Sequence, residues 1–121
     1  GQLISHVWLP TAARFTSATY EVMQMEGLDW PLASAAATLK IESGIVRQAS
    51  IVMGHVAPVP WVAQEASRTL LGQRLNEETA SLAADIAVAR ATPMSMNEYK
   101  VQLARTAVKR ALLKALDQSP V

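Results

Sequence analysis

The chain contains no cysteine, which removes disulfides, thiolate nucleophiles and cysteine-held iron–sulfur clusters from its repertoire. Aromatic residues are scarce, at one phenylalanine, two tyrosines and three tryptophans. No run of basic residues interleaved with base-stacking rings follows from so few. Charge of one sign is lacking too: eleven Lys and Arg against ten Asp and Glu leave a formal net charge of +1. That balance gives no electrostatic reason to expect nucleic acid or an anionic membrane as a partner. No apolar run approaches the ~20 residues of a membrane span. The first residues also lack the basic and apolar regions of a signal peptide. The expectation is a cytoplasmic chain with no membrane span.

What is present is an ordinary globular composition. Half of the 121 residues are apolar and 17% are charged, which suits one core and a single domain over residues 1–121. The opening Gln2-Leu3-Ile4 enters a strand with no lead-in and reads as a piece of something longer.

Strand signals fill the first half. Leu3 to Leu9 is short and apolar and is closed by Pro10. Phe15 to Met25 is rich in Thr, Tyr, Phe and Val, and Glu26-Gly27 ends it. Leu32 to Ile41 is alanine-rich, which by propensity alone means helix. Glu42-Ser43-Gly44 is nevertheless a glycine-bearing turn in front of a clear strand, so the pair reads as a hairpin. In that next strand Ile45, Arg47, Ala49, Ile51 and Met53 alternate with Val46, Gln48, Ser50 and Val52.

Helix signals fill the second half. The strand breaks at Gly54, crosses the elbow Ala57-Pro58-Val59-Pro60 and restarts as a helix at Trp61, with Pro60 at the first turn. Val62, Ala66 and Leu70 give its stripe, and Gly72 stops it. Asn76 caps a second helix, with Glu77 and Glu78 favourable to its dipole and Leu82, Ile86 and Ala89 as the stripe. Pro93 ends it. Ser95 and Glu98 form the pattern of a capping box for a third helix to about Leu116, with Val101, Val108, Leu112 and Leu116 facing the core. Strands followed by helices indicate an α+β fold: a three- to four-stranded antiparallel sheet covered on one face by three helices.

The search for self-contained chemistry is negative. His6 and His55 are the only histidines, and no carboxylate stands near either at a metal-ligand spacing. There is no nucleophile elbow, no G-x-G-x-x-G and no P-loop. Asp29, Glu65 and Asp85 read as turn, cap and surface residues rather than acid–base catalysts. The cations of the last helix, Lys100, Lys109, Arg110 and Lys114, read as a solvated face. Trp8, Trp30 and Trp61 read as core or interface anchors. No catalytic residue and no metal ligand is assigned.

The elbow G-H-V-A-P-V-P-W at Gly54 to Trp61, leading into Leu70-Leu71-Gly72, resembles a known family. It is similar to the C-terminal domain of the FAD-binding medium subunit of molybdenum hydroxylases, a family that includes carbon monoxide dehydrogenase, xanthine dehydrogenase and the aldehyde oxidoreductases. Three further features carry the likeness. They are Y-E-x-M at Tyr20 to Met23 before D-W-P-L-A at Asp29 to Ala33; P-M-S before E-Y-K at Glu98 to Lys100; and L-A-R-x-x-V-K-R-A-L at Leu103 to Leu112. The resemblance covers essentially the whole chain in order.

The resemblance implies a role in electron transfer within a parent oxidoreductase complex. Substrate is hydroxylated at molybdenum, electrons pass through Fe–S clusters, and FAD hands them to an external acceptor. The family's glycine-rich loops that hold the flavin pyrophosphate lie in preceding domains and are absent here, so the isolated chain is expected to retain FAD weakly or not at all. The implied partners are those preceding FAD-binding domains and the molybdenum and Fe–S subunits. By position, Ile4 corresponds to an apolar flavin contact, Tyr20 to an aromatic against the ring, and Val22 to the place of a usual lysine. A lysine there could stabilise charge on reduced flavin, and valine cannot. His55 replaces the second glycine of the usual pair and adds bulk to a tight turn. The alternative is a non-catalytic assembly module of the same fold that has lost flavin contact.

Overall fold

The computed structural model describes residues 1–9, 11, 14–25, 27 and 29–118. Its elements run β1 (Thr16–Val22), β2 (Ala33–Glu42), β3 (Ile45–Gly54), β4 (Trp61–Val62), α1 (Gln64–Thr69), α2 (Glu77–Val88) and α3 (Tyr99–Asp117). The strands form one antiparallel sheet in the order β1-β2-β3-β4. The α+β expectation holds: a four-stranded antiparallel sheet with three helices.

The alanine-rich segment is a strand because tertiary packing overrides its helical propensity. Ala33, Ala35, Ala37 and Leu39 form a wholly buried row on β2, while β1 and β3 take its hydrogen bonds on either side. The glycine-bearing turn anticipated at Glu42-Ser43-Gly44 is present, with Glu42 still in β2 and Ser43 and Gly44 both at positive φ, 52° and 75°. That pairing matches the right-handed twist of the hairpin. The expected face of β3 needs one correction. Lys40 pairs with Gln48 but Ile41 pairs with Val46, so Arg47 is an extra, bulged residue. The bulge turns Val46 into the core with Ile51 and Met53, and leaves Arg47 in solvent near Glu42.

Two further expectations give way in the first half. Leu3 to Leu9 is not a strand here; it has no regular structure and its apolar side chains are exposed. The second strand is shorter than Phe15 to Met25, and the backbone N–H of Leu32 closes it on the carbonyl of Val22 at 2.8 Å. Pro10 and Glu26, expected to close these two segments, lie outside the described residues.

The helix expected at Trp61 starts three residues later. Trp61 and Val62 pair back onto Met53 and Val52, and the N–H of Ala63 still donates to Ile51 at 2.9 Å. The sheet therefore holds the chain until α1 begins at Gln64, and Val62 is exposed while Ala66 and Leu70 are buried. Ser67 on α1 then reaches back into the sheet. Its hydroxyl accepts the N–H of Ile51 at 3.0 Å and donates to Ala63 O at 2.9 Å. Beyond this point Val46 exchanges two backbone bonds with the loop after α1, to Gln73 and Gly72. The outer edge of β3 is thus covered without a long fourth strand.

Asn76 caps α2 as expected, in a reciprocal box with Thr79. The buried side of α2 is Ala80, Ala83 and Ala84, and the expected stripe residue Leu82 is 56% exposed. Helix α2 packs on α3 and α1 rather than on the strands. Its neighbour α3 presents Ala104, Ala107, Ala111 and Ala115 as buried positions, so the close approach selects the alanine side of α2 over the leucine side. The Ser95–Glu98 box does not form. Glu98 is itself the N-cap, in helical geometry and without a side-chain cap, and Met96 before it has φ of 64°. Helix α3 lies across β1 and β2, with Val108 and Leu112 fully buried as expected.

Candidate functional site

The elbow between β3 and β4 is where the chain gathers its unusual groups. Gly54 has no room for a side chain: a Cβ there would stand 2.5 Å from Ser34 Oγ. His55 follows with φ of 61°, in the left-handed region that glycine adopts most readily and a few polar residues tolerate. Two contacts hold it there. Its Nδ1 is 3.0 Å from Ser34 Oγ, and its carbonyl accepts from Lys100 Nζ at 2.8 Å.

Lys100 is therefore a strut between α3 and the elbow rather than part of a solvated face. Sequence reasoning missed this, although a signal existed. Stepping back four residues at a time from Leu112 and Val108 gives Ala104 and then Lys100, which places the lysine on the core-facing row. Three of the other four cations of α3 are also tethers, while Arg110 stays exposed as expected. Lys109 reaches Glu77 on α2 at 2.8 Å, Arg105 grips Asp85 with Nη2 3.2 Å from Oδ2, and Lys114 donates to Thr19 O on β1 at 3.3 Å. Asp85 is held below its ordinary carboxylate range by the Arg105 hydrogen bond, and Glu77 likewise by Lys109.

Between the elbow, the end of α2 and the start of α3 lies an open cleft of about 510 Å³. Met53, Trp61, Val88 and Val101 supply apolar wall, and His55 and Lys100 supply polar edge. Asn97 also lines it, with a buried Oδ1 that has no hydrogen-bond partner among the described residues. A smaller hollow of about 200 Å³ sits on the uncovered sheet face beside Thr19, Ser34, Gly54 and Pro60. Ser34 and His55 resemble a nucleophile and base in distance only. No carboxylate bonds the imidazole to orient it among the described residues, so the pair lacks the third group such chemistry needs. No cluster of three metal-ligating side chains occurs among the described residues.

The residues expected to meet a flavin fall on two bodies. Tyr20 and Val22 stand two apart on β1, opposite Ala35 and Ala33, half-buried against the core. Both face the helix layer rather than the open side of the sheet. Ile4 lies on the uncovered N-terminal segment, outside the sheet. His6 is exposed beside Ser5, and Trp8, Trp30 and Trp61 are all exposed, so none of the tryptophans anchors this core. Asp29 and Glu65 serve as expected, in a turn on the N–H of Met25 and in the first turn of α1.

A family model described as the CO dehydrogenase flavoprotein C-terminal domain matches residues 18–115. The carbon monoxide dehydrogenase medium chain of Afipia carboxidovorans is 29% identical over 119 residues, covering 95% of this chain and 41% of that one. The glyceraldehyde dehydrogenase medium chain of Sulfolobus acidocaldarius is 23% identical over 118 residues, covering 98% of this chain and 42% of that one. Among solved structures, carbon monoxide dehydrogenase from Hydrogenophaga pseudoflava superposes with a TM-score of 0.81 at 31% identity, over 91% of this chain and 39% of that one. Quinoline 2-oxidoreductase from Pseudomonas putida gives a TM-score of 0.81 at 28% identity, over 87% and 38%. The chain thus spans about two fifths of the length of the curated relatives it matches. With a match that runs from β1 to the last turns of α3, the chain belongs to the CO dehydrogenase flavoprotein C-terminal domain family.

Proposed function

We propose that this chain is the C-terminal part of the flavoprotein subunit of a molybdenum-dependent hydroxylase or dehydrogenase. There it covers one side of FAD and docks the molybdenum and Fe–S subunits, as electrons pass from those centres through the flavin to an external acceptor. The observation that carries this reading is the family match over residues 18–115, which runs from within β1 through the elbow to the last turns of α3.

The residues present fit contact with the ring of the cofactor but not the holding of the whole dinucleotide. The five glycines are scattered singly, and none belongs to a loop of successive N–H groups that could cradle a pyrophosphate. What β1 offers is a half-buried phenol and an apolar neighbour, Tyr20 and Val22. When bound, FAD supplies the electron-carrying chemistry. The chain's part is to lie against the ring, exclude water and set the polarity beside it. Valine at position 22 places no positive charge near reduced flavin.

A second reading has its own support. Val22 packs against the core beside Ala33, a place that strand packing alone accounts for. On that reading the chain is an assembly module that has lost flavin contact. The absorbance spectrum of the purified parent subunit tests the preferred function. Oxidised-flavin bands near roughly 450 nm and co-purifying molybdenum and Fe–S subunits support it. A colourless parent that assembles with the same partners supports the module.

A further inference from the structure

The cleft between the elbow, the end of α2 and the start of α3 has a floor and a mouth of different chemistry. Its floor reaches the core: Met53 and Ala104 both border it and are each 4% exposed. Trp61, Val88 and Val101 extend that apolar lining. The mouth carries two cations, Lys100 and Arg90. Among the described residues no acidic side chain belongs to the wall, and Glu65 and Glu98, the acids nearest in the fold, stand outside it.

Both cations have bonding capacity left. Lys100 Nζ uses one of its three donors on the His55 carbonyl, at 2.8 Å, which also fixes where the ammonium stands. Arg90 meets Glu65 only at 3.8 Å, with side chains 82% and 65% exposed, a surface pair too weak to hold the guanidinium. A hollow with one sign of charge at its mouth and apolar walls focuses its field on an incoming anion. A carboxylate there makes charge-assisted hydrogen bonds, which are stronger than neutral ones. A cationic ligand would be repelled. An anion without an apolar body would leave the floor unfilled. The cleft, at about 510 Å³, falls inside the roughly 300–1,000 Å³ range of small-molecule sites.

We propose that this cleft binds a small carboxylic acid with an apolar body, its carboxylate against Lys100 and Arg90 and its body over Met53 and Trp61. The site uses none of Ile4, Tyr20 and Val22, so it goes beyond the flavoprotein reading and does not rest on it. The elbow acquires a role of its own. With φ of 61°, His55 turns its carbonyl to Lys100, so the bend of the chain positions the cation that receives the ligand.

Calorimetric titration of the parent subunit with naphthoate, beside the neutral naphthamide of the same shape, tests this. Naphthoate should bind about tenfold more tightly than naphthamide, and Lys100→Met should remove about that factor. Arg90→Met, at an exposed side chain, should weaken naphthoate by less. Ala91→Trp puts a ring at an exposed position of the cleft wall and should abolish binding while the melting temperature holds. Equal affinity for the two compounds overturns the proposal, and so does binding that Ala91→Trp leaves intact. Failure of naphthoate to bind at millimolar concentration also overturns it, the cleft then being filled by the rest of the flavoprotein or a partner subunit. Lys100→Met also removes the strut to His55, whereas the comparison of the two compounds uses the unaltered sequence and decides the role of charge by itself. A parent without flavin defeats the flavoprotein reading and leaves every one of these outcomes to be read in the same way.

Discussion

Ser34 Oγ and His55 Nδ1 lie 3.0 Å apart across the start of β2 and the end of β3, and Gly54 between them leaves that contact its only room. The three residues form one packing unit. A Cβ at Gly54 would stand 2.5 Å from the serine oxygen but 3.9 Å from the serine Cβ. Gly54→Ala should therefore destabilise the chain by about 1–3 kcal/mol through overpacking. Ser34→Ala should cost less, and the double variant should recover most of the loss because the obstructing oxygen is gone. Denaturant midpoints of the four proteins check it. Additive losses would mean the elbow is not packed as described.

Ser67→Ala isolates a different contact. It leaves the buried N–H of Ile51 without an acceptor, which should cost about 1–3 kcal/mol. Thr69 on the same short helix bonds only to Ala66 O within its own turn, so Thr69→Ala should cost less. Thermal unfolding of both variants gives the comparison.

The core should be intolerant in both directions. Leu112 is fully buried on α3, and Leu112→Ala should cost about 2–5 kcal/mol. Ala37 is fully buried on β2, beneath the helix that crosses that strand, so Ala37→Leu should cost about 1–3 kcal/mol although it adds apolar area. A stabilised Ala37→Leu protein would mean that α3 sits further from the sheet than described.

The α2–α3 ion pairs set the acid limb. Asp85 is lowered from its ordinary 3.8 by the Arg105 hydrogen bond, and Glu77 from 4.5 by that of Lys109. A depressed folded-state pKa means the unfolded chain binds more protons in this range, so stability rises with pH there. The contribution is present above the ordinary values and is lost as pH falls through the folded ones. Arg105→Leu with Lys109→Leu should flatten the decline in stability between about pH 5 and 3. Above pH 6 its pH profile should run parallel to that of the parent sequence. An unchanged acid slope would show that the pairs carry none of it.

The sequence reading succeeded where local chemistry and tertiary structure agree. The Ser43-Gly44 turn defined the β2–β3 hairpin, and Asn76 defined the start of α2. It failed where two readings share one local pattern. Pro60-Trp61 has the look of a helix start, and only the backbone partners of Met53 and Val52 make it a strand. Leu82 gave way to Ala80 and Ala83 because the stripe was chosen by size, whereas close packing on α3 favours small side chains. The bulge at Arg47 has no local signature, and it alone decides that Val46 faces the core. For the candidate site, the elbow was visible as a motif. Its support by Ser34 and Lys100 required contacts spanning 21 and 45 residues.

The flavin itself gives the most direct test of the central claim that Tyr20 and Val22 lie against the cofactor. Val22→Lys and Tyr20→Leu should be made in the parent flavoprotein subunit, with flavin reduction potential and re-oxidation rate measured in each. The account predicts that lysine raises the potential by stabilising reduced flavin. It also predicts that loss of the phenol alters flavin fluorescence while occupancy is retained. Potential, rate and fluorescence all unchanged, with flavin fully bound, would contradict contact by this domain and leave it as an assembly module.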